Sequence, residues 1–126
     1  MGTRSTTKIY EDGCLLLALY KQYDGYPDGW GQELKAFLNH GVFVNGFQKR
    51  DDIVQFNGVG DFVLQLVAAF KEGTGGLYAT TEDNQQEYNY LIEFNHKQGD
   101  YGTMTYTLRC LEDDRYRQEG SILTAW

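Results

Sequence analysis

Ser5-Thr6-Thr7-Lys8-Ile9-Tyr10-Glu11-Asp12-Gly13-Cys14-Leu15-Leu16-Leu17-Ala18-Leu19-Tyr20-Lys21 is the stretch whose reading decides the fold. Asp and Gly both tolerate the positive φ of a type I′ turn, so Asp12-Gly13 predicts a two-residue hairpin. Pairing then sets Glu11 opposite Cys14, and at the open end Arg4 opposite Lys21, Thr3 opposite Gln22 and Gly2 opposite Tyr23. The unbroken run Leu15 to Leu19 predicts a second strand covered on both faces and central in its sheet. The open end joins Gly2-Thr3-Arg4-Ser5 to Gln22-Tyr23-Asp24-Gly25-Tyr26-Pro27. A guanidinium, hydroxyls, an amide, a carboxylate and aromatic rings meet there, the mixture of a ligand site.

Beyond the hairpin, 25–31 reads as a loop. A first helix follows with Trp30, Leu34, Phe37 and Leu38 on one stripe, ended by His40-Gly41 with the glycine in the left-handed C′ role. The segment 42–57 reads as a loop or irregular arm, with an Asn45-Gly46 turn and a solvated Lys49-Arg50-Asp51-Asp52 cluster. Val59, Phe62, Val63, Leu66, Val67 and Phe70 form the apolar face of a second helix, closed by Gly73. Its start, Asn57-Gly58-Val59-Gly60-Asp61, offers free backbone N–H groups to an anion, or is a plain capped helix start. Strand three covers 77–81. Strands over 87–95 and 103–112 alternate Tyr88, Tyr90, Ile92, Phe94 and Met104, Tyr106, Leu108, Cys110, and pair through a turn at 99–102. Their polar face gathers Asn89, Glu93, Thr105, Thr107 and Arg109, either a second pocket wall or an outward face with a surface ion pair. The expected fold is α+β, an antiparallel sheet of about five strands on two helices in the order β-β-α-α-β-β-β.

At 126 residues the chain suffices for a single domain, 1–126. A net charge of −7 disfavours a long nucleic acid as partner, since backbone phosphates require a basic face. A small anion needs only one or two arginines and helix-start amides. No apolar run of membrane-spanning length occurs, and the start lacks a signal peptide's apolar core, so a soluble cytoplasmic protein is expected. Cys14 and Cys110 read as reduced thiols in or near sheet cores. His40 and His96 show no ligand spacing, so neither metal nor cofactor is expected. Ten tyrosines suit base stacking or subunit interfaces. The aromatic content and the apolar end at Trp126 suggest a homo-oligomer, a dimer or tetramer, or a tail tucked into the core.

The Gly2-Thr3-Arg4 start, Gln22 to Pro27 with Gly29 and Gly31, Leu34-x-x-Phe37-Leu38, and Phe56-Asn57-Gly58-x-Gly60 leading through Gln65-Leu66-Val67-Ala68-x-Phe70-Lys71-x-Gly73-x-Gly75-Gly76-x-Tyr78 resemble a family of small proteins encoded by tailed phages and some microbes. Through it the chain resembles phage anti-CBASS sponges, which sequester cyclic-nucleotide immune signals. That resemblance implies a binder of a small anionic nucleotide that does no chemistry.

The residues suit that reading. Tyr23, Tyr26 and Trp30 offer stacking rings, Arg4 the leading phosphate ligand, Asn57 and Gly58 an anion cradle, Thr3, Gln22 and Asp24 polar contacts to the ligand, and Arg109 a further binding group on the second hairpin. An enzyme would use Asp24 beside Arg4 as general base, with Glu93 or Asp61 as second carboxylate. A third class, a protein-binding inhibitor, would leave the motif architectural, with Arg4 and Asp24 paired.

Overall fold

The computed structural model describes residues 2–44, 46, 50–97 and 100–123. Asp12 and Gly13 carry φ of 51° and 82° and turn β1 (Ser5–Glu11) into β2 (Cys14–Lys21), as the turn chemistry requires. Glu11 faces Cys14, but the register shifts between Ile9 and Tyr10, so that Ser5 faces Lys21 and Thr6 faces Tyr20. The shift leaves Leu16 as the extra residue of a bulge, 41% exposed. The predicted pairing therefore slips by one residue toward the open end.

A π-helical turn, Pro27–Gly31, leads into α1 (Gln32–His40), which buries Leu34 and Leu38. Two short strands follow, β3 (Val42–Val44) and β4 (Gln55–Asn57), paired in parallel as a sheet of their own. They occupy the segment read as an irregular arm, because each buries a single phenylalanine, Phe43 or Phe56, too little for a visible alternation. Asn45 and Lys49 of that arm lie outside the described residues. Helix α2 (Val59–Phe70) buries Val59, Phe62, Val63 and Leu66, as its spacing predicts. It ends at Phe70, with Gly73 left-handed beyond it at φ 70°.

The chain continues through β5 (Leu77–Ala79), β6 (Tyr88–Lys97), β7 (Asp100–Cys110) and β8 (Asp113–Leu123). The main sheet has six strands in the order β5-β2-β1-β6-β7-β8. It is mostly antiparallel, but β1 and β6 run parallel. Strand β8 occupies sequence without a strand assignment in the expected order; its Arg115, Arg117 and Glu119 look outward while Tyr116 is buried. The turn at 99–102 and the tail through Trp126 fall partly or wholly outside the described residues.

The strand covered on both faces is β1, not β2, and most of its covered residues are polar: Ser5, Thr6, Thr7 and Lys8 are buried alongside Ile9. Burial of such groups requires partners. On the helix side Thr7 Oγ1 accepts the Trp30 indole N–H at 2.8 Å. On the other side the segment 80–87 crosses the sheet to reach β6. There Lys8 Nζ donates to Asn84 O at 2.8 Å, Tyr10 donates to Glu82, and Thr6 donates to Asn89 Oδ1 at 2.6 Å. Asn89 in turn donates through its backbone and side-chain N–H groups to the Glu112 carboxylate.

Helices and small sheet close over one core face, where Phe62 lies within 5.0–5.6 Å, ring centre to ring centre, of Phe37, Phe43, Phe56 and Phe94. Gly41 borders this cluster. Its φ of −114° is extended, so the expected left-handed cap is replaced by a packing reason: a Cβ there would lie 2.4 Å from Phe56 Cε2. Gly41→Ala is expected to cost about 1–3 kcal/mol by overpacking, read from urea unfolding. A gain in stability would instead mean that reduced unfolded-chain freedom outweighs the contact.

Candidate functional site

The two polar segments at the hairpin's open end lie side by side. Gly25 N donates to Thr3 O at 2.9 Å, and Gln22 N to Gly76 O at 2.9 Å. Gly2 lies so close to Tyr23 that a Cβ would come within 2.4 Å of its ring. Asp24, left-handed at φ 57°, accepts Trp30 N through its carbonyl at 2.8 Å. Tyr90, fully buried on β6, donates its hydroxyl to Gly25 O at 2.7 Å, and Tyr116 donates to Gly31 O. Burial pushes the phenols of Tyr90 and Tyr116 well above the ordinary value, so both remain donors at neutral pH.

This backbone carries exposed side chains. Tyr23 and Tyr26 are 52% and 40% exposed, and Arg4 and Asp24 are exposed too, with Thr3 and Gln22 half-buried. Among the described residues Arg4 makes no salt bridge, to Asp24 or to any other acid. Immediately after Tyr26 the surface opens into a groove of about 420 Å³ lined by Pro27, Asp28, Gln32, Lys35, Asp113, Arg115 and Tyr116. Lys35 stands over the Tyr116 ring at 4.4 Å, a cation–π contact.

No protein-family model matches the chain, and neither curated proteins nor solved structures give a significant match.

Other predicted site residues lie elsewhere. Trp30 is fully buried, its indole bonded to Thr7 and its ring edge-on to Phe70, so it is a core residue and offers no stacking face. Asn57 and Gly58 sit at the opposite end of α2, whose Phe62 meets Phe94 near the hairpin turn and whose Phe70 meets Trp30. Of the amides expected to form a cradle there, that of Asn57 is already bonded: Asp61 Oδ2 accepts Asn57 N at 2.9 Å, along with the Gln65 amide. Arg109 lies on β7, 3.7 Å from Glu93 in a half-exposed pair, and lines a separate small groove of about 180 Å³ with Leu111, Asp114 and Arg117. Gly75 and Gly76 are left-handed at φ 82° and 77°, which a turn before β5 explains.

Neither carboxylate considered as a partner for Asp24 comes to it, since Glu93 faces Arg109 and Asp61 accepts Asn57 N ahead of α2. The thiols are unpaired with each other. Cys110 is buried and its thiol is pushed up by burial, whereas Cys14 is exposed beside the bulged hairpin end instead of in the sheet core.

One grouping escaped the sequence altogether. His96 on β6 lies against Glu11 and Asp12, 84 positions along the chain from Asp12. The only sequence signal is the turn itself, which pins Asp12; strand neighbours so remote leave no local pattern.

Ser5 adds a test of the rim's foundation. Among the described residues its buried hydroxyl has no hydrogen-bond partner, and it packs against Gly25. Ser5→Ala is therefore expected to be neutral or to stabilise by about 1 kcal/mol in thermal unfolding, because no bond is lost. Loss of more than that would place a partner on the hydroxyl.

Proposed function

We propose that this protein binds a small anionic nucleotide at the rim formed by Arg4, Tyr23 and Tyr26 and releases it unchanged. One observation carries the reading: two exposed tyrosines and a guanidinium without a salt bridge among the described residues stand on a backbone locked by hydrogen bonds from Gly25, Trp30 and Tyr90. Rings held this way give stacking area at small entropic cost, and a free guanidinium suits phosphate. The groove beyond Tyr26, with Lys35 and Arg115 on its walls, has the volume of a small-ligand site. A binder of this kind would act as a phage sponge, removing a cyclic nucleotide signal by mass action.

The test is a thermal-shift screen against cyclic di- and trinucleotides and linear nucleotides, with chromatography of the recovered ligand. Dose-dependent stabilisation with intact ligand supports the reading; consumed ligand makes the protein an enzyme.

A second reading, a protein-interaction module or self-associating subunit, is favoured by β8. This strand of 11 residues is the outer edge of the main sheet, and an edge of that length is a template for a further strand. Light scattering after size exclusion reports a homo-oligomer directly.

A further inference from the structure

We propose that the closed end of the β1–β2 hairpin is a surface site for a zinc-class divalent ion, ligated by His96 Nε2 and the Glu11 carboxylate and oriented by Asp12. The donor atoms of the three residues lie within 4.8 Å of one another. Asp12 is held from three sides: it occupies the first turn position at φ 51°, its N–H donates to Phe94 O at 2.8 Å, and its Oδ1 accepts His96 N at 2.8 Å. Its other oxygen lies 2.8 Å from His96 Nδ1.

That contact determines what the imidazole can do. With Nδ1–H donated to a carboxylate, Nε2 carries the lone pair, the arrangement by which an outer carboxylate orients a metal-binding histidine. Nε2 faces Glu11 Oε2 at 3.8 Å. Two donors at about 2.0–2.2 Å from a tetrahedral ion stand roughly 3.4 Å apart, so closing the pair takes a few tenths of an ångström from a side chain that is 30% exposed. Imidazole with carboxylate suits zinc, nickel or copper, whereas magnesium and calcium prefer all-oxygen shells. Two protein ligands leave the remaining positions to solvent, which makes the site weak and exchangeable.

Untagged full-length protein titrated calorimetrically with ZnCl2 tests this. One saturable zinc per chain is expected, with no saturable binding of MgCl2 over the same range. His96→Gln and Glu11→Gln should each weaken zinc at least tenfold, Asp12→Asn about tenfold, and Cys14→Ser less than twofold. In ¹⁵N spectra of the wild-type imidazole, zinc should shift Nε2 of His96 more than Nδ1. The proposal is overturned by no saturable zinc, by unchanged affinity in His96→Gln, by magnesium binding as well as zinc, or by loss of binding in Cys14→Ser. The Glu11→Gln amide keeps the side-chain volume and serves if His96→Gln fails to fold.

Discussion

Phe62→Ala is expected to remove about 3–5 kcal/mol of unfolding free energy, the largest stability effect of any change considered. Phe62 has no exposed surface and is the residue on which four other rings converge, Phe37 from α1, Phe43 and Phe56 from the small sheet, and Phe94 from the main sheet. Truncation opens a cavity at the junction of four elements, and each would have to shift for it to collapse. Against a total stability of about 5–15 kcal/mol for a domain of this kind, the variant should melt on the order of 10–20 °C lower. Leu64, on the same helix but 70% exposed, is the control, and Leu64→Ala should stay within about 0.5 kcal/mol. Equal losses in the two variants would contradict the placement of α2.

Arg4→Ala should leave the free protein's melting temperature nearly unchanged while weakening a bound nucleotide about 10- to 100-fold. The structural half follows from exposure: the side chain makes no ion pair among the described residues, and Arg4 contributes to the fold through its backbone, whose carbonyl accepts Tyr88 N. The affinity half follows from a charge-assisted bond to phosphate, roughly 1.5–3 kcal/mol. Tyr23→Ala should add a loss of about 1–3 kcal/mol per stacked base. Calorimetry of wild type and both variants with a hit from the nucleotide screen decides the matter. Unchanged affinity in both would move the ligand off the rim, and a melting temperature that falls with Arg4→Ala would make the residue architectural.

Much of the fold was legible where the information is local. Asp12-Gly13 declares its turn because φ is a property of the residue, and α2 and β6 declare their buried faces because Val59 to Leu66 and Tyr90 to Phe94 repeat with the period of their backbone. The bulge at Leu16 was hidden, since one extra leucine in a run of leucines changes no pattern. Strand β8 was hidden as well, because a sheet edge tolerates Arg115, Arg117 and Glu119 with Tyr116 and, six residues on, Ile122 to mark the core.

The rim was legible as a meeting of two motifs, but membership in it was not. Trp30 reads like a ligand-stacking ring as readily as a core residue, and only the arrival of Thr7 and Phe70 against it decides. Asn57 and Gly58 look like an anion cradle until Asp61, one helical turn on, folds back over the amide.

The amino-acid sequence by itself determined the hairpin, the two amphipathic helices and the alternating strands, all products of turn propensity and of spacing within a dozen residues. The tertiary structure alone decided that β1 runs parallel to β6 and is the strand buried on both faces. It also decided that Trp30 is interior and that His96 meets Glu11 and Asp12. The physical reason is that periodicity tells a residue which face it occupies, whereas the partner on that face is chosen by long-range packing and by the need of each buried polar group for a bond.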